Sequence, residues 1–167
     1  MSPERTKNTK WYDWFMDKYG FQNCQKIVVF RKNNTEVLLA RRKGENDFDG
    51  VYSFIGGKME TTDGGILDGL KREKDEEVGE NFKIKIYPIF NTMNYFIKKD
   101  GNFMVLPHYY ARYESGEIKL NEEYSYYKWV EVEKLAEFEP KIPTVEIMAK
   151  NLLRLIKIIK EEELVLI

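Results

Sequence analysis

Residues 56–80 read GGKMETTDGGILDGLKREKDEEVGE. The alternating run VYSFI (51–55) leads into the first Gly-Gly pair, and a second pair precedes a strongly charged segment. A glycine pair permits a tight turn in which backbone comes close to a ligand and a carbonyl is left to face a cation. The spacing of Leu67, Leu70 and Val78 predicts a helix that starts near Thr62 or Asp63 and ends at Gly79. At about 100° per residue, Glu73, Glu76, Glu77 and Glu80 share one arc of roughly 100°. Leu67, Leu70, Val78 and the stem of Lys74 form a neighbouring stripe suited to face a sheet. The like-charge pairs 73–76, 73–77, 76–80 and 77–80 disfavour the helix by about 0.2–0.5 kcal/mol each. A solvated surface can carry such a stripe. Beside a Gly-Gly turn, however, several carboxylates and a backbone carbonyl make the donor set of a hard cation.

Outward from this stretch, QKIVVF (25–30), the NN turn at 33–34 and EVLLARR (36–42) predict a hairpin. FKIKIYPIFNTMNYFI (82–97) and NFMVLPHYYARY (102–113) read as long strands joined at KKDG, with Pro88 and Pro107 each marking an edge or a bulge. EIKL (117–120) reads as a short strand and YYKWVEV (126–132) as a further one. Residues 141–163 read as one amphipathic helix with Pro143 near its first turn. WYDWFMDKYGF (11–21) reads as a short aromatic helix, covering about residues 10–20. Strands interrupted by separated helices predict an α+β fold, an α/β/α sandwich around a mixed sheet.

The length, 167 residues, predicts a single domain over 1–167, and 43% hydrophobic residues supply a core. A formal net charge of -1 gives no global field for a nucleic-acid polymer or an anionic membrane. One cysteine, Cys24, excludes an intramolecular disulfide, and one histidine, His108, excludes zinc sites built on several His and Cys ligands. A metal site must therefore be made of oxygen, which points to Mg2+ or Mn2+. The polar N-terminus carries no signal-peptide pattern and no apolar run is long enough to span a bilayer, so a cytoplasmic location is expected. His108, in an apolar strand, is expected to be structural.

From Gly57 to Glu80 the chain resembles the Nudix box, written G-x5-E-x7-R-E-U-x-E-E-x-G-U with U aliphatic. Gly57, Arg72, Glu73, Glu76, Glu77 and Gly79 match it. VLLARR with GVYSFIGGK, and NEEYSYYKWVEVEKL further on, are similar to the family's strands and acidic loop. The likeness runs from about residue 26 onward. Asp63 stands where the first Glu is expected, eight residues instead of seven separate it from Arg72, and Lys74 and Glu80 replace aliphatic positions.

The resemblance implies metal-dependent hydrolysis of a nucleoside diphosphate linked to another moiety, with nucleoside triphosphates and nucleotide sugars as the two substrate classes. It implies Glu73, Glu76 and Glu77 as ligands of Mg2+ or Mn2+, joined by the Gly57 carbonyl. Arg72 would orient a carboxylate through a bidentate pair. Glu123 is the loop carboxylate chosen as general base, with Glu122, Glu60 or the box itself as alternatives. Arg41 is a candidate for substrate phosphate, as is Arg42. Tyr52, Phe48, Tyr95 and Tyr109 are candidates to stack on a base, against a role in the core. The partner would be a small-molecule nucleotide, on a monomer or homodimer. A binding module that holds a nucleotide or protein without turnover is the competing reading.

Overall fold

In the computed structural model, which describes residues 20–89 and 91–167, the run KIVVFR forms strand β2 (Lys26–Arg31) after a short β1 (Phe21–Asn23). β2 returns through a turn in which Lys32, Asn33 and Asn34 all adopt positive φ, into β3 (Glu36–Arg42). β4 (Tyr52–Ser53) precedes helix α1 (Ile66–Val78). Then come β5 (Lys83–Ile86), β6 (Thr92–Ile97), β7 (Phe103–Ser115), β8 (Tyr124–Glu131), α2 (Val145–Leu155) and β9 (Val165–Leu166). The aromatic helix expected at 11–21 lies almost wholly outside the described residues.

Period-two alternation divides the core into two layers. Ile27 and Val29 of β2 and Leu38 and Ala40 of β3 pack with Leu70 and Val78 of α1. Val28, Phe30, Val37 and Leu39 point the other way, onto Val145, Met148, Ala149 and Leu152 of α2. This is the expected α/β/α arrangement around a mixed sheet: β2 runs antiparallel to β3 and parallel to β7. Leu70 is fully buried, and truncating it to Ala would cost about 2–5 kcal/mol.

Several boundaries differ from the sequence expectation. α1 begins at Ile66, because Gly64 and Gly65 and the capture of Asp63 by Arg72 hold residues 60–65 as turns. Residues 82–97 split into β5 and β6 around Pro88, and both pair with β7. Pro107 sits inside the central strand β7, between the stretch paired with β1 and the stretch paired with β2, where its missing N–H removes no bond to either. EIKL forms no strand; its backbone closes the end of α1, with Lys119 N–H donating to Val78 and Asn121 N–H to Glu77. The segment 141–163 is not one helix. α2 ends at Leu155, a 3-10 turn follows, Ile159 turns extended, and a second 3-10 turn over Glu161–Glu163 leads into β9 on the edge of β5.

The segment after β4 shapes the site. Ser53 pairs with Ala40 of β3, but Ile55 pairs with Ile27 and Lys58 with Cys24. The chain thus crosses from β3 to β2 as it enters the Gly-Gly turn, beside the buried face of α1.

Candidate active site

α1 buries two adjacent rows. Leu70, Lys74 and Val78 face the sheet; Gly69, Glu73 and Glu77 lie one position earlier in each turn. Lys74 is fully buried and survives there by donating to the Phe82 carbonyl at 3.0 Å and pairing with Asp75. Glu73 and Glu77 line a cleft of about 850 Å³, together with Glu76, Arg72, Glu60, Glu123, Gly56 and Gly57. Lys26, Arg42, Lys58 and Lys98 bring positive charge to the same cleft, and Phe48, Phe54, Tyr95 and Phe96 give it an aromatic side.

The carboxylates are unlike one another. Glu77 is 3% exposed; it accepts from the Gly56 N–H and, at 3.0 Å, from the Tyr124 hydroxyl. Burial pushes its carboxyl up to about 7, against the opposing pull of the Lys26 charge and these two donors. Glu73 is also raised by burial, with the Arg72 guanidinium opposing it. Glu76 is 57% exposed at its side chain. Glu80 lies beyond the helix, past Gly79.

Arg72 ties the turn to the helix. Its Nε and Nη2 grip Asp63 Oδ1 and Oδ2 at 2.9 and 3.0 Å, while Nη2 also donates to the Lys58 carbonyl at 2.9 Å. Nη1 reaches Glu73 at 2.8 Å and Glu76 at 3.3 Å. The bidentate partner is thus Asp63, the residue that departs from the usual box. The Arg72 fork and the Glu60 N–H hold the Asp63 carboxyl down to about 2. The extra residue between them is taken up in the turns before Ile66.

Two glycines shape the turn here. Gly56 has φ +108, and a Cβ on it would overlap the Gln25 carbonyl. A Cβ on Gly57 would overlap the Glu73 carboxylate, so the absent side chain makes the room in which that carboxylate sits.

The other expected residues fall unequally. Glu123 lines the cleft, exposed, with its N–H bonded to Asn121 Oδ1 at 3.0 Å. Glu122 is exposed outside the residues that line the cleft. The structure does not bring Tyr52 to the cleft: its ring is buried in the α2-side core, edge-on to Phe138. Arg41 points away as well, bonded to the Gly50 carbonyl; Arg42 is the one that lines the cleft, near Glu45 and Ser53. The Gly57 carbonyl is not free, because it accepts the Gln25 N–H at 2.8 Å and keeps only a second lone pair. His108 is buried, with Nδ1 at 2.8 Å from the Leu106 carbonyl, which assigns the proton to Nδ1; burial holds its pKa down to about 4. Lys26 was missed. As the first residue of an apolar strand it gave no local sign of pointing into the site.

Whether these residues suit a divalent ion is a question of donors. Among the described residues, no three acidic, His or Cys side chains converge as a closed ligand set. Three carboxylates at the cleft, Glu73, Glu76 and Glu77, nevertheless lie on successive turns of one helix, Gly57 leaves room beside Glu73, and Glu77 is buried with no direct ion pair among the described residues. That chemistry fits a hard cation.

Residues 23–153 match the NUDIX domain family. The chain belongs to this family, and with it to hydrolases that act on phosphoric anhydride bonds. Similar solved structures include a MutT protein from Methanosarcina mazei Go1, with TM-score 0.67 and 22% identity, covering 82% of this chain and 96% of that one. A C. elegans Ap4A hydrolase in a binary complex aligns with TM-score 0.65 and 16% identity, over 81% and 98%. The NUDIX domain of Shewanella oneidensis NrtR complexed with ADP ribose aligns with TM-score 0.63 and 16% identity, over 90% and 99%. At these identities the likeness establishes the fold. No curated protein matches the chain. Among the described residues, no helix is long and apolar enough to cross a membrane.

Proposed function

We propose that the protein is a metal-dependent pyrophosphohydrolase acting on a nucleoside diphosphate linked to another moiety, of the nucleoside triphosphate or nucleotide sugar class. The observation that carries this reading is the burial of Glu73 and Glu77 on successive turns of α1, at the wall of one cleft, with Glu77 in no direct ion pair among the described residues. Glu73, Glu76 and Glu77, with the second lone pair of the Gly57 carbonyl, would hold Mg2+ or Mn2+. When bound, the ion supplies neutralisation of the diphosphate and activation of water.

The chain's own residues do the rest. Arg72 fixes Glu73 against the Gly-Gly turn, so the carboxylate is oriented before any ligand arrives. Lys26, Arg42 and Lys98 bring positive charge to the cleft that takes the anionic substrate. Glu123, on the loop that closes α1 and lining the same cleft, would take a proton at its carboxylate. The aromatic side, with Phe48 and Phe96 at 5.2 Å between ring centres, offers a stacking surface for a base.

Phosphate release from a panel of nucleoside triphosphates and nucleotide sugars, with Mn2+ and with EDTA, tests the proposal. Turnover that survives EDTA and extensive dialysis sinks it. Nucleotide binding without turnover of any compound would favour the binding-module reading. Glu123→Gln should lower kcat and leave Mg2+ affinity nearly unchanged; if Glu122→Gln does so instead, the base is the neighbouring residue.

A further inference from the structure

A lysine is 7% exposed beside two buried carboxylates, in the cleft where a divalent ion would bind. Lys26 Nζ donates to the Gly56 carbonyl, and the N–H of the same glycine donates to Glu77. One residue thus fixes both the ammonium and the carboxylate. Among the described residues, the Gly56 carbonyl is the hydrogen-bond partner of Lys26, and the ammonium is in no direct ion pair. An ammonium has three N–H donors, so the bond to Gly56 leaves two for other partners at the cleft.

A buried ammonium needs negative charge nearby. The nearby charges are Glu77, which accepts the N–H of the glycine whose carbonyl holds Lys26, and Glu73, one turn earlier on the wall of the same cleft. Arg72 pairs directly with Glu73, but its other donors go to Asp63, Glu76 and the Lys58 carbonyl, and none reaches Glu77. His108, also at the cleft, is neutral near pH 7.

We propose that Lys26 is a tethered cation of this site: it supplies to Glu73 and Glu77 positive charge that a further divalent ion would otherwise bring, and so limits how many such ions the cleft takes. The inference rests on the metal-binding reading above and deepens it. Two cations in a partly buried site repel strongly enough to weaken binding by more than about tenfold. Removing the tethered charge therefore opens the carboxylates to the free one.

Mn2+ titration of the full chain without nucleotide, followed by calorimetry and by the electron paramagnetic resonance of free Mn2+, tests this. Lys26→Met should bind Mn2+ at least about tenfold more tightly than wild type, or take one ion more. Lys26→Arg, which keeps the charge, should behave as wild type. Without metal, Lys26→Met should melt lower than wild type, and Mn2+ should raise its melting temperature by the larger amount. Lys26→Gln, which keeps a donor for the Gly56 carbonyl, carries the same expectation should the Met variant not fold. Wild type that binds Mn2+ with no gain in affinity or stoichiometry in either neutral variant overturns this inference alone. Failure of every form to bind Mn2+ overturns the metal-binding reading and this inference with it.

Discussion

Glu161 and Glu77 are both held by hydrogen bonds, yet they meet positive charge in opposite ways. Glu161 is 59% exposed at its side chain, and takes both Nη atoms of Arg112 at 2.7 and 2.8 Å and Lys85 at 3.2 Å. Those cations hold its carboxyl down to about 2, and the pair fastens the segment after α2 onto β5 and β7. Glu77 is buried, meets two neutral donors and no direct cation among the described residues, and is pushed up to about 7. A carboxylate saturated by its own chain has little left to offer a ligand. One that folding has buried without a full counter-charge keeps an unsatisfied affinity for cations.

Substitution of the two glutamates should separate these roles. Glu77→Gln should lower kcat at least about a hundredfold, read as phosphate release with saturating Mn2+. The same change should not harm the metal-free fold. The amide oxygen can accept from Gly56 N–H while the amide nitrogen donates to Tyr124, whose hydroxyl can act either way. At pH 8 the metal-free melting temperature should rise by a few degrees, at about 2–4 °C per kcal/mol for a chain of this size. A fall would mean that Lys26 and Glu77 form a closed pair, and the contrast with Glu161 would be lost.

Arg72→Lys should cost about ten- to a hundredfold in Mn2+ affinity or turnover, because one ammonium cannot grip Asp63 bidentately and also reach Glu73 and the Lys58 carbonyl. A variant with wild-type Mn2+ affinity would show that the orientation of Glu73 does not matter.

His108 gives the cleft a pH dependence. Its folded pKa of about 4 lies below the ordinary 6.5, so between these values the unfolded chain binds the extra proton. Its contribution is fully present above about pH 6.5 and is lost as pH falls toward 4, amounting to roughly 3 kcal/mol. Urea midpoints at pH 7 and pH 4.5 should diverge less in His108→Gln than in wild type; equal divergence would place the acid sensitivity elsewhere.

Glu161→Gln should have the smallest effect: a melting temperature lowered by no more than about 2 °C and unchanged turnover. A large loss of activity from this substitution would break the contrast from the other side.

Much of the fold was legible because its signals are local. The alternation in IVVF specifies two packed faces, and the rows of α1 specify which side is buried. Residues 141–163 misled because Ile156, Ile158 and Ile159 continue an apolar pattern while pairing of Val165 and Leu166 with β5, a long-range contact, decides where the helix stops. At the site, the carboxylates were visible in the helical period. Arg42 falls on the face of Leu38 and Ala40 by strand alternation. Lys26 and the burial of Tyr52, by contrast, depend on how the chain around β4 pairs with β2 and β3, which no local pattern encodes. The expected free carbonyl at Gly57 failed for the same reason: its partner, Gln25, is on a distant stretch of chain.

The loop that carries Glu123 is also the cap of α1, through the Lys119 and Asn121 amides on the Val78 and Glu77 carbonyls at 3.0 and 3.1 Å. Those two amide hydrogens should therefore exchange with solvent deuterium at the pace of the helix and not at that of a surface loop. Opening the loop would uncap the very turn that holds Glu77, so the two carboxylates should lose and regain their relative positions in a single cooperative event.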